Sequence, residues 1–173
     1  STQRWLDAGL FVDKRDASKR TGLHQAAWSG RVQVVTLLLG ACAEVDARDS
    51  EHRTPLHYCS ETGFTAVIKV LLLLAFKADI NAVDSKRETA MSKAARAGQA
   101  DAVNVLLDAG ANLDIQDVDG SLAGDCFKSK AREVTTEVRS QIVAMLDKKR
   151  QELADAKRLE DEVRRARSIE AGE

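Results

Sequence analysis

Thr54-Pro55-Leu56-His57-Tyr58-Cys59-Ser60-Glu61-Thr62-Gly63 opens a unit that recurs on both sides of it. Upstream stands Thr21-Gly22-Leu23-His24-Gln25-Ala26-Ala27, and downstream Thr89-Ala90-Met91-Ser92-Lys93-Ala94-Ala95. The steps from Thr21 to Thr54 and from Thr54 to Thr89 are 33 and 35 residues. A period of about 20 to 50 residues marks a stacked repeat architecture, in which one copy cannot bury its apolar face alone.

Each copy has the same layout. A short helix ends at Gly30, Gly63 or Gly98. A second helix follows with doubled apolar positions: Val34, Val35, Leu37, Leu38 and Leu39, then Val67, Ile68, Val70, Leu71 and Leu72, then Ala102, Val103, Val105, Leu106 and Leu107. That spacing turns one broad apolar face toward the neighbouring copy. Each fully buried aliphatic side chain contributes about 1.5–3 kcal/mol, so stacking makes the fold. The small pairs Ala26-Ala27, Cys59-Ser60 and Ala94-Ala95 let the short helix lie close against the long one. Asp16, Asp49, Asp84 and Asp117 each precede the Thr position by five residues, and Val45, Ile80 and Leu113 recur just before each connecting hairpin.

The Thr-Pro-Leu-His run, the small pair after it and the Asp ahead of it resemble the ankyrin-repeat family over about the first 145 residues. The resemblance implies an all-α ankyrin-repeat solenoid with a C-terminal extended charged helix. It divides the chain into a partial repeat over 1–16, repeats over 17–49, 50–84 and 85–117, a divergent capping repeat over 118–146, and a charged helix or linker over 147–173. It also implies structural roles for His24 and His57, which fall on the family's histidine and bond locally and to the next repeat.

The departures from the pattern carry expectations of their own. Arg4-Trp5-Leu6-Asp7-Ala8-Gly9 matches the second half of a repeat, so the chain reads as a fragment of a longer protein. Gly9 and Gly110 hold the helix-ending position, but its equivalents are Cys42 and Lys77, which would adopt left-handed backbone at a cost of about 1 kcal/mol each. The 35-residue step comes from two extra residues within Leu73-Leu74-Ala75-Phe76, expected as a half turn or bulge of the second helix, buried by its apolar character. Leu122 replaces the Thr of the fourth copy, and Gly124-Asp125-Cys126-Phe127 loses the small-residue pattern, as suits a terminal cap. In 147–173, 16 of 27 residues are charged, and Leu153, Ala156, Val163 and Ala166 form a thin apolar line too short for a sustained coiled coil.

Composition excludes several classes. The net charge of −1 gives no global attraction to nucleic acid or anionic membrane. The longest apolar run, Val70 to Phe76, is too short to span a bilayer. Three Cys without paired spacing point to a reducing, intracellular compartment, cytoplasmic or nuclear. No phosphate-loop, dinucleotide, nucleophile-elbow or zinc-protease motif occurs, so no catalytic residue and no cofactor are expected. Cys42, His52, His57 and Cys59 lack metal-ligand spacing, and no metal site is expected.

What remains is the concave surface that ankyrin stacks use for protein recognition, built from hairpin tips and short inner helices. Carried onto this sequence, its contact residues are Trp28, Ser29, Glu61, Thr62 and Arg96 after the small pairs, Gln25, Tyr58 and Lys93 before them, and Arg20, Glu51, Arg53, Lys86 and Glu88 between Asp and Thr. Trp28 stands out, because Trp, Tyr and Arg dominate interface hot spots; the other reading packs it on its own repeat. Charge along the tips grades from basic at Lys14–Arg20 to acidic at Asp114–Asp119. The expected function is an adaptor or scaffold binding a protein or peptide, with a regulatory or autoinhibitory segment of a larger enzyme, channel or transcriptional regulator as the alternative. The expected state is monomeric, with pairing through 147–173 as the minor alternative.

Overall fold

Main-chain geometry at each Thr explains why the helices begin where they do. Thr21, Thr54 and Thr89 are extended, with φ of −92°, −97° and −89°, and each precedes a short helix. His24 Nδ1 lies 3.1 Å from the Thr21 N–H, and His57 Nδ1 lies 3.1 Å from the Thr54 N–H, so each imidazole accepts a donor the helix cannot use. Their Nε2 atoms reach the next unit, 3.0 Å from the carbonyl oxygens of Arg53 and Glu88. The third unit has Ser92 instead, whose N–H donates to the Thr89 hydroxyl at 3.2 Å.

The computed structural model describes residues 12–73, 75–123 and 134–170. Arg4-Trp5-Leu6-Asp7-Ala8-Gly9, Leu74 and Gly124-Asp125-Cys126-Phe127 lie outside the described residues. Within them run α1 (Gly22–Trp28), α2 (Val32–Gly40), α3 (Pro55–Thr62), α4 (Thr65–Leu72), α5 (Ala90–Arg96), α6 (Ala100–Asp108) and α7 (Thr136–Glu170). Two layers result. α1, α3 and α5 stack in order in one, and α2, α4, α6 and α7 in the other, with each short helix backed by its own longer partner. The architecture is an all-α solenoid with a long C-terminal helix.

The core is the repeated pattern made solid. Leu23, Leu56 and Met91 occupy one position in successive units, and none is more than 1% exposed. Both members of all three small pairs are buried, including Cys59 and Ser60. Val35, Ile68 and Val103 fill the matching place in the outer layer. In the first unit Val34 is 39% exposed, where its counterparts Val67 and Ala102 are fully buried. Gly30 closes the first helical pair with φ +67°, and a Cβ there would sit 2.6 Å from the Phe64 ring of the next unit.

The Asp of each hairpin builds the turn. One oxygen of Asp49 accepts the N–H groups of Glu51 and Arg53 at 2.8 and 2.9 Å, and Asp16, Asp84 and Asp117 repeat the arrangement. Successive tips are joined by one main-chain bond each, from Ser50 to Ser18, Ser85 to Glu51 and Val118 to Lys86. Left-handed backbone appears at Cys42 (φ 63°) and Lys77 (φ 52°), as the register requires. It also appears inside the hairpins at Lys19, His52 and Arg87, with φ of 59°, 60° and 58°.

One expectation is corrected. α4 does not lengthen to absorb the two extra residues: it ends at Leu72, and Leu73 turns out with φ −54° and ψ 145°. Leu73 is 52% exposed and Phe76 half-buried, so the insertion sits in the connection after the helix rather than in a covered bulge. The change of composition at 147 falls inside one helix: α7 runs from Thr136 through the charged segment without a break, for about 50 Å. Ile142 and Leu146 are fully buried at its start, whereas residues 151–160 are exposed. Ion pairs along it join Arg150 to Asp147, Lys149 to Glu152 and Arg158 to Asp155.

Candidate partner-binding surface

Where the first two units meet, the hairpin and inner-helix positions converge on a cavity of about 340 Å³ lined by Arg20, His24, Gln25, Trp28, Arg53, Tyr58 and Glu61. α1 presents Trp28 and α3 presents Tyr58. Trp28 is 48% exposed and packs edge-on against Tyr58, with ring centroids 5.7 Å apart. Its structural contact is therefore with the following unit, and half of it stays open to a ligand. His24 meets the same ring edge-on at 5.5 Å.

Tyr58 itself is only 6% exposed and acts as the floor. Its hydroxyl donates to Asp49 Oδ2 at 2.7 Å, and the Arg53 guanidinium lies 4.7 Å above its ring. Arg53 Nε also donates to Asp49 Oδ2, at 3.1 Å. Burial raises the Tyr58 phenol, and the bond to Asp49 raises it further, to about 12. Burial alone would drive the Asp49 carboxyl up, but the Tyr58 hydroxyl, the N–H groups of Arg53 and Glu51 and the Arg53 charge hold it below the ordinary value. Burial likewise lowers His24 and brings His57 down to about 4, so both imidazoles are neutral straps at pH 7.

The remaining residues of the sequence reading divide. Ser29, Glu51 and Lys86 are exposed, and Arg20, Glu61, Thr62 and Arg96 are partly covered. Glu88 is corrected: it is 1% exposed and faces inward. Lys93 draws it in, with Nζ 2.5 Å from Glu88 Oε2 and 2.9 Å from Asp84 Oδ2, and Arg96 pairs with its other oxygen. Lys93 is only 11% exposed, so this part of the third unit is a closed ionic cluster rather than an open contact row. Tyr58 belongs to the surface as support for Trp28 and Arg53. Gln25, expected in the same row as Tyr58 and Lys93, does line the cavity; the sequence reading missed His24, which it had given only a structural role.

Cys42, His52, His57 and Cys59 are not brought together. Cys42 is exposed, Cys59 is buried with its thiol pushed well up by burial, and both His57 nitrogens are engaged. Among the described residues no group of three His, Cys, Asp or Glu side chains is placed to hold a metal ion. No helix among them is long and apolar enough to cross a membrane. A further cavity, between α7 and the turn at 110–114, contains none of the sequence-derived contact residues.

Comparison with known proteins agrees with this geometry. A family model described as ankyrin repeats in three copies matches residues 23–117, and one for ankyrin repeats in many copies matches 1–39. A search of curated proteins returns no match. Ankyrin repeats are in general protein–protein interaction modules and typically non-catalytic. With two layers of stacked helical pairs, Thr-capped inner helices strapped by histidine, and a family match over more than half its length, the chain belongs to the ankyrin-repeat family.

Proposed function

We propose that this chain is an adaptor or scaffold module that grips a partner polypeptide along the flank formed by the hairpin tips and α1, α3 and α5, with Trp28 as the principal anchor. The observation that carries this reading is the exposure of Trp28, 48%, beside a ring and a guanidinium held rigidly in place. An aromatic side chain that is already ordered loses little entropy on binding. The exposed tip residues run from Lys14, Arg15 and Lys19 to Asp114 and Asp119, a gradient that would orient an oppositely graded partner and speed its association. The module works as a monomer in a reducing intracellular compartment, on a protein rather than a nucleic acid. Affinity capture from a native lysate with wild type and Trp28→Ala tests the reading. Proteins retained by wild type and lost by a folded Trp28→Ala support it; identical capture by both removes Trp28 from the interface.

A further inference from the structure

The cavity beside Trp28 is rich in hydrogen-bond donors, and that imbalance indicates which part of a partner it reads. Arg53 is held by its Nε bond to Asp49 and by the Tyr58 ring under its plane, and the exposed Glu51 carboxylate approaches the same Nε at 3.6 Å. Its two terminal amino groups have no acceptor among the described residues, although the side chain is only 25% exposed. Arg20 is anchored in the same way, with Nε and one amino group each 2.9 Å from Asp16 Oδ2, which leaves its other amino group open. The Trp28 indole N–H also has no acceptor among the described residues.

The acceptors on the walls are mostly spent. Asp49 already receives the Tyr58 hydroxyl, the Arg53 Nε–H and two main-chain N–H groups. His24 has both nitrogens engaged. Glu61 alone brings a free carboxylate. A planar guanidinium fixed in one orientation suits a carboxylate, which can take two of its N–H bonds at once, better than it suits any neutral acceptor.

Resting on the reading that this flank binds a polypeptide, we propose that the cavity is a carboxylate-reading subsite. An Asp or Glu side chain of an acidic partner segment seats on Arg53 and Arg20, with its methylene groups against Trp28. The volume of about 340 Å³ accommodates one such side chain and its neighbouring main chain. Glu61, which also lines the cavity, repels a second acidic residue and so helps fix how the segment lies.

Panning a displayed random dodecapeptide library on the intact chain tests this. The expected result is peptides enriched in Asp or Glu whose binding falls at least tenfold when that residue is changed to its amide, a substitution that leaves the protein untouched. Arg53→Gln gives the same loss at a temperature where circular dichroism shows the variant still folded, although removing the partner of buried Asp49 lowers its melting temperature, and Arg53→Lys, lacking the fork, restores binding only in part. Peptides that need Trp28 but tolerate the amide, or that are basic and depend on Glu61, overturn the subsite and leave the interaction reading standing. Peptides indifferent to Trp28→Ala that protect α2, α4 and α6 from hydrogen exchange overturn both, as does a library that yields no binder.

Discussion

The Nε2 of His57 lies 3.0 Å from the main-chain carbonyl oxygen of Glu88, which ties the second unit to the third. A carbonyl only accepts, so Nε2 carries the proton and Nδ1 is left to accept from the Thr54 N–H. A second proton would sit on Nδ1, facing that N–H. The strap therefore works only as neutral imidazole, which agrees with the lowering of His57 to about 4.

Acid should begin to loosen the stack near pH 6.5, well above the ordinary carboxylate range. His57 falls from 6.5 to about 4 on folding. Between those values the unfolded chain binds a proton that the folded chain excludes, so stability is complete above pH 6.5 and declines as pH falls toward 4. The loss is about 3 kcal/mol. Burial raises the Asp46 carboxyl, which acts with the opposite sign, so the comparison with a variant is the readout. Denaturant unfolding at pH 7 and pH 4.5 should show a shallower dependence for His57→Gln than for wild type. Equal slopes would remove His57 as the source.

Glycine should stabilise the chain where side chains now stand in left-handed backbone. Cys42→Gly and Lys77→Gly each relieve about 1 kcal/mol, or about 2–4 °C of melting temperature. His52→Gly at the hairpin tip should act likewise, because Gly120 already fills the matching place in the fourth unit. Midpoints that stay level or fall in all three would contradict the register.

Lys93 should be far more important for folding than for binding. Removing it leaves Asp84 and Glu88, 2% and 1% exposed in their side chains, without the ammonium between them. Lys93→Ala is expected to cost about 3–5 kcal/mol. Lys86→Ala, on the exposed tip, should change stability by about 0.5 kcal/mol or less. Thermal denaturation of the two variants side by side separates them.

Trp28→Ala should have the reverse profile. Half the ring is already in solvent, so the fold loses only its contact with Tyr58, about 1 kcal/mol. Binding to an acidic peptide taken from the library should drop by about 2 kcal/mol or more. A melting temperature that collapses along with binding would assign the ring to the core.

Repetition made most of the architecture readable from the sequence. Thr54, His57, Gly63 and the Cys59-Ser60 pair mean little singly, but their counterparts in the flanking copies fix the layers, the strap and the left-handed sites at Cys42 and Lys77. Leu73 was not readable this way, because no other copy has the two extra residues to show whether a helix lengthens or stops. Glu88 sits at a hairpin position whose side chain usually meets solvent, and only the convergence of Lys93 and Arg96 on it brings it inside. The cavity combines Arg20 and Trp28 with Arg53 and Tyr58, from two different copies. Aligning the copies compares such residues as equivalents and does not show that they are neighbours.

The single peptide-to-peptide bond at each pair of hairpin tips has a mechanical consequence. With one such joint per unit, a bend imposed by a cargo is divided over several equal hinges, and no helix has to deform. The assembly should behave as a weak spring whose curvature adapts to the shape it holds, storing a little elastic strain at every joint.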